Sequence, residues 1–309
     1  MGGGGGGGNY SLGPSEIARL RDEARARLDR SRLDSDVNTL LQHSLVDLND
    51  RDNEGAASRL EEIQQSLSGT TKDIDRVVFG GSVAKHTYVD GLSDIDALVV
   101  LDPQSVGGTT PDEMRDAFKR LLMQRLNMGD VEEIQSGTLA VTVRYRDGME
   151  IQLLPAVDRG EGVAIASATG KDWTAINPRD FADRLTRLNQ AKGNAVIPSI
   201  KLAKAIIAEE IPEQTRPTGY HVEALALAAF RDYEGSRTPR AMVQHFFDEA
   251  SSAVVKPIAD VTGQSAEVDE YLGEAESPQR FAIARRFRQI ARKMEQAESI
   301  NEWRQLLGE

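Results

Sequence analysis

The chain has 309 residues, 39% hydrophobic and 28% charged, with a formal net charge of −12; that is enough apolar material for one large domain or two apposed lobes. It has no cysteine and four histidines, which excludes disulfides and cysteine-held zinc and leaves oxygen as the donor for any metal. The acidic balance repels polyanions over most of the surface and no apolar run reaches the roughly 18 residues of a bilayer span, so the expectation is a cytoplasmic protein, monomeric, with neither membrane nor duplex nucleic acid as partner.

In chain order, residues 1–11 read as a flexible tail, because the glycine run Gly2 to Gly8 cannot offset its ordering entropy. Residues 12–175 read as a sheet-bearing lobe with N-terminal helices, and residues 176–309 as a helical lobe. The first helix starts at Pro14 and Ser15 and runs toward Asp50, and "EGAASRLEEIQQSL" is the second. The β-branched runs "DRVVFG", "IDALVVLD", "GTLAVTVRYR" and "MEIQLLPAV" predict strands, with a helix over "PDEMRDAFKRLLMQRL" between the second and third. After Pro178 five stretches have helical character, the last one "PQRFAIARRFRQIARKMEQAESINEWRQLL". The fold class is therefore α/β (α+β): a mixed sheet with helices, a second lobe of helices, and a cleft between them suited to a ligand.

The stretch "VVFGGSVAKHTYVDGLSDIDALVVLD" carries the chemistry. Alternate strand positions place Asp94 and Asp96 on one face, and buried carboxylates are costly unless something positive sits between them. A Gly80-Gly81-Ser82 turn between a strand and a predicted helix "SVAKHTYV" can close its N–H groups and the Ser82 hydroxyl on a phosphate. One or two magnesium ions on Asp94 and Asp96, with manganese as the alternative, would bridge triphosphate oxygens. Either motif alone is commonplace; their spacing, eleven intervening residues and a following "ALVVL", gives them meaning together.

These residues, with the later Leu153-Leu154-Pro155-Ala156, resemble the polymerase-β-type nucleotidyltransferase superfamily, and within it the branch of oligoadenylate synthetases, cyclic GMP-AMP synthase and the bacterial CD-NTases of CBASS anti-phage systems. The resemblance runs from about Leu12 to the C-terminus. It implies a two-lobed nucleotidyltransferase fold and an enzyme condensing nucleoside triphosphates, ATP among them, into a cyclic di- or oligonucleotide messenger. It also implies two metal ions and CBASS accessory or effector proteins as partners. The family's third metal carboxylate falls at Gln152, an amide, so Glu150, two residues earlier on the same strand face, is expected to complete the site. On the helical side Lys201 and Lys204 are neighbours on one helix face. The resemblance favours Lys201 for the triphosphate and places Tyr220, with His221 and Glu223, beside the nucleotide. Gly219 stands where the family often has serine. Arg144 and Arg146 are candidates for phosphate contact, and His221 reads as structural. The alternatives are nucleotidyl transfer to a protein, a small molecule or an RNA end, and a catalytically silent nucleotide-binding module.

Overall fold

A computed structural model describes residues 14–48, 53–68, 74–79, 85–87, 95–104, 106–160, 162–167, 170–260 and 267–309. Seven strands form one mixed sheet: β1 (Ile74–Phe79), β2 (Ile95–Leu101), β3 (Val131–Ser136), β4 (Val141–Tyr145), β5 (Glu150–Asp158), β6 (Val163–Ala166) and β7 (Trp173–Ile176). The order is β1-β2-β5-β4-β3, with β6 pairing β5 and β7 pairing β6. All pairs are antiparallel except β2 and β5, which run parallel side by side.

Period-two alternation gives the sheet two different faces. On one, Ala97, Val99, Leu101, Val141, Val143, Ile151 and Leu153 are buried in a core shared with helices α2 (Asn53–Ser68) and α3 (Pro111–Arg125). Helix α3 starts at a capping box, in which the Thr110 hydroxyl accepts from the Glu113 N–H and the Glu113 carboxylate accepts from the Thr110 N–H. Its Met114, Phe118 and Leu122 recur every fourth residue and face the strands. The other face is split. Towards the C-terminal ends of β2 and β5, Val100, Ala156, Val163, Ile165 and Ile176 form a small apolar cluster, and towards the N-terminal ends of those two strands stand Asp96, Glu150 and Gln152.

The second core belongs to α4 (Pro178–Ala191), α5 (Val196–Glu210), α6 (Gly219–Phe230), α7 (Pro239–Ala253), α8 (Pro278–Gln296) and α9 (Ile300–Leu307). Phe247 meets Phe246 and Phe287 edge-on at 5.2 and 5.6 Å between ring centres, an arrangement that suits the aromatic quadrupole. The first helix, α1 (Pro14–Asp47), buries Val37, Leu40 and Leu41 in this helical core, and Ser44 donates to Glu309 at 2.7 Å. Helix α1 thus precedes the sheet in sequence and packs with the helices that follow it. The C-terminal stretch, read from sequence as one segment, also divides. Ser299 and Glu302 form a capping box that starts α9 afresh and lets Trp303 turn into the core.

Among the described residues no helix is long and apolar enough to cross a membrane.

Candidate active site

Parallel pairing of β2 with β5 puts Asp96 directly opposite Gln152. Antiparallel pairing of β4 with β5 puts Thr142 opposite Gln152 and Arg144 opposite Glu150. Asp96, Gln152, Glu150, Thr142 and Arg144 therefore share the polar half of one sheet face, all of them half-buried. The arrangement is tied to the sequence: apolar residues at the odd positions of β2 and β5 pin the other face to the core, and a one-residue slip would bury the carboxylates there.

Glu150, expected to complete a metal site, accepts a hydrogen bond from Arg144 Nε, and the same guanidinium lies 3.4 Å from Glu133. Its carboxylate thus has a cationic partner, and the residue facing Asp96 across the strands is Gln152. Arg146 is exposed. Gly81, Ser82 and Asp94 lie outside the described residues. The helix predicted over "SVAKHTYV" does not run through its middle: Lys85 and His86 are in a turn, and His86 has φ +59°, a left-handed conformation incompatible with a helix. The reason lies in what the turn accomplishes, since it delivers both Lys85 and Thr87 to one carboxylate of the helical lobe.

That carboxylate is Glu223 on α6, 1% exposed. Lys85 Nζ pairs with its Oε2. Lys204 Nζ on α5 donates to its Oε1 at 2.9 Å and to the Thr87 carbonyl at 2.9 Å. The Thr87 hydroxyl donates to Oε1 as well. Burial works to raise the Glu223 carboxyl, but the Lys204 and Lys85 ammoniums, with the bonds from Lys85 and Thr87, hold it below the usual glutamate range. Burial pushes Lys204 below the ordinary lysine value against the pull of Glu223, because one carboxylate serves two ammoniums; Asp96 is close enough to favour its charged form. The Lys85 ammonium also stands 5.0 Å from the Phe181 ring centre and 4.9 Å from that of Tyr220.

The remaining predicted residues are placed as follows. Lys201 is buried on α5, one turn before Lys204. Tyr220 packs edge-on against Phe181 at 4.8 Å, and its hydroxyl donates to Asp260 at 2.8 Å. A side-chain carbon at Gly219 would lie 3.4 Å from Lys204 Nζ, so glycine leaves that ammonium its room. His221 is fully buried: Nδ1 is 2.8 Å from the Tyr271 hydroxyl and Nε2 is 3.3 Å from Asp269, which Arg280 also holds at 2.6 Å. Burial is the main cause that takes the imidazole down to about 4, with Arg280 adding to it and Asp269 opposing.

Sequence reasoning assigned no role to Lys85, Thr87 or Phe181 and named Glu223 only as a member of a cluster. The Lys85-x-Thr87 spacing was visible, but no periodicity links it to residues on α5 and α6.

Among the described residues no three His, Asp or Glu side chains gather as a metal site. What β2 and β5 offer is oxygen: the Asp96 carboxylate, the Gln152 amide facing it, and Glu150 on the same face. Such hard donors suit magnesium or manganese and fit no softer metal.

The Second Messenger Oligonucleotide or Dinucleotide Synthetase (SMODS) domain matches residues 32–189. Among curated proteins no sequence match was found. Solved structures with similar folds include the Bradyrhizobium diazoefficiens CD-NTase CdnG in complex with GTP, at TM-score 0.67 and 15% identity, covering 89% of this chain and 95% of that one. The E. coli MS115-1 CdnC with ATP aligns at TM-score 0.61 and 15% identity, covering 87% and 93%. A mutant of the Vibrio cholerae di-nucleotide cyclase DncV in complex with ATP and GTP aligns at TM-score 0.60 and 11% identity, covering 96% and 91%. The fold of these structures is the two-lobed one described above, and with the domain match extending over more than half of its length the chain belongs to the SMODS family of second messenger oligonucleotide or dinucleotide synthetases.

Proposed function

We propose that the chain condenses nucleoside triphosphates into a cyclic di- or oligonucleotide, with chemistry at the polar end of the β2–β5 pair. The observation that supports this most directly is the strand register that sets the Asp96 carboxylate opposite Gln152 and on one half-buried sheet face with Glu150. Hard oxygen donors gathered on one half-buried face can hold the cations that offset phosphate charge, as joining two polyanions requires.

In this reading a ribose hydroxyl attacks the α-phosphorus of a second nucleotide in line. The O–P bond forms as the bond to the β-phosphate oxygen breaks, and pyrophosphate leaves. Glu150 takes the hydroxyl proton, and Arg144 orients its carboxylate. Gly81 and Ser82 hold the triphosphate, Lys201 and Lys204 offset its charge, and Tyr220 lies beside the base. Asp94, Asp96 and Glu150 would hold magnesium or manganese, which when bound neutralises the developing phosphate charge. Nucleotides are the substrates by analogy with the GTP and ATP complexes of CdnG and CdnC, and a HORMA-type accessory protein by analogy with the CdnC complex. A role in anti-phage signalling inside the cytoplasm fits this chemistry.

A second reading has one observation in its favour: with Gln152 opposite Asp96 and Glu150 tied to Arg144, the described carboxylate charge is small, as in a silent nucleotide-binding module. Incubation with the four labelled triphosphates and magnesium, followed by phosphatase and separation of resistant products, decides between them. Phosphatase-resistant product is expected, with Glu150→Gln about 100-fold slower or worse and Gln152→Asp tolerated. Binding without product, restored by Gln152→Asp, would establish the silent module instead, and full activity in Glu150→Gln would remove Glu150 from the mechanism.

A further inference from the structure

Of the Lys85–Thr87–Lys204–Glu223 cluster only Lys204 is proposed to meet the triphosphate, and the construction of the cluster is unusual for a packing contact. Three polar groups from two lobes converge on one buried carboxylate. Lys85 and Thr87 come from the turn that follows Gly81-Ser82 in sequence, Lys204 from α5 and Glu223 from α6. Burying ionised groups is costly, and a buried pair does not in general stabilise a fold more than apolar residues of the same shape would. What such a cluster does supply is geometry, since every donor has one place to go. The side chains are held from outside as well. Phe181 and Tyr220 flank the Lys85 ammonium at 5.0 and 4.9 Å, and the Thr87 carbonyl takes a bond from Lys204 at 2.9 Å. Thr87 is fully buried, and Lys204 is 7% exposed.

We propose that Glu223 is a positioning residue: by gathering Lys85, Thr87 and Lys204 on one carboxylate it bolts residues 85–87 to the helical lobe, and so sets the alignment of the nucleotide phosphates with Asp96. It acts through its partners and does not touch the reacting atoms. The proposal rests on the nucleotidyltransferase reading for its kinetic consequence, and on the cluster alone for its structural one.

The experiment uses the full chain and two measurements: hydrogen exchange across residues 85–87 without nucleotide, and kcat and KM for turnover of labelled ATP and GTP with magnesium. Glu223→Gln is expected to speed exchange at 85–87 while leaving α7 and α8 protected, and to lower kcat about 100-fold, the scale of a misalignment near 1 Å, with KM changed much less. Thr87→Val keeps the shape and removes a single bond, so it is expected to show the same pattern in miniature with an unchanged melting temperature. It carries the test if Glu223→Gln does not fold. The double variant Glu223→Gln with Lys85→Met removes one of the two unmatched charges and leaves Lys204 in place; it is expected to recover thermal stability without recovering kcat. Unchanged exchange at 85–87 in Glu223→Gln or Thr87→Val would overturn the proposal, as would kcat recovering in step with stability in the double variant. Were the wild-type chain to make no product from any triphosphate, the functional reading would fall, and the exchange measurement would still decide whether the bolt exists.

Discussion

Polar groups are treated in opposite ways by the two lobes. In the helical lobe His221, Asp269 and Arg280 are all essentially unexposed and turned towards one another: Asp269 accepts from Arg280 at 2.6 Å and from the Ile258 N–H at 3.0 Å, and the Tyr271 hydroxyl is 2.8 Å from His221. On the sheet lobe Asp96, Glu150, Gln152 and Arg144 stand half-buried along a strand face with an apolar cluster below them. A closed set fixes the shape of its own lobe, whereas a row of charges at a cleft is placed for something that arrives. The difference teaches where to look for function in a chain with many buried charges: burial combined with mutual pairing marks architecture, and partial burial along one face marks a site.

Three substitutions or conditions press on this contrast, in decreasing order of expected effect. Asp96→Asn keeps volume and removes a charge, so turnover of labelled triphosphates is expected to fall by about 1,000-fold or more while the melting temperature holds, since the charge serves a ligand. Near-normal turnover would put the cation elsewhere. Asp269→Asn on the other lobe is expected to do the reverse. Leaving buried Arg280 with Glu267, at 3.9 Å, as its nearest carboxylate among the described residues costs about 3 kcal/mol in denaturant unfolding, with nucleotide affinity unaltered in whatever fraction is folded. If it instead weakened nucleotide binding at full stability, the helical cluster would be part of the site and the contrast would fail.

The third concerns pH. His221 titrates at about 4 in the folded chain against 6.5 for the ordinary side chain, so the unfolded state binds the extra proton between those values. Stability is therefore expected to be complete above pH 6.5 and to decline as pH falls towards 4, by up to roughly 3 kcal/mol. Melting curves of the wild type and of His221→Asn over that window check it. The variant's curve should be flatter by that amount, and parallel curves would mean that His221 is not held neutral.

How far the sequence revealed this depends on how local the determining interactions are. β4 has the alternating burial of a strand with one buried face, and its run "VTVRY" was legible for that reason. β3, "VEEIQS", buries one residue in three and so carries no period-two signal. β6 and β7 have four residues each, too few for a pattern. The start of α9 was written in Ser299 and Glu302, yet the helical periodicity on both sides hid the break. At the site, strand spacing singled out Asp96 and the family resemblance pointed to Gln152 and from it to Glu150, but Asp96 meets Gln152 only through the pairing of β2 with β5, far apart in the chain, while Arg144 meets Glu150 across the local β4–β5 hairpin. The clamp on Glu223 was the least accessible, since it depends on a left-handed turn at His86 and on two helices whose patterns report only their buried faces.

The parallel pairing of β2 with β5 also dictates an order of events during synthesis. Parallel neighbours cannot be joined by a tight turn, and here α3, β3 and β4 fill the interval between them. Leu101 has no partner on that side until Val157 has left the ribosome, and Glu223 follows later still. Long-range strand pairing is the slow part of forming a sheet. The surface that carries Asp96 and Gln152 is accordingly among the last to be assembled, and a nascent chain that stops before β5 holds one half of that surface and none of the chemistry.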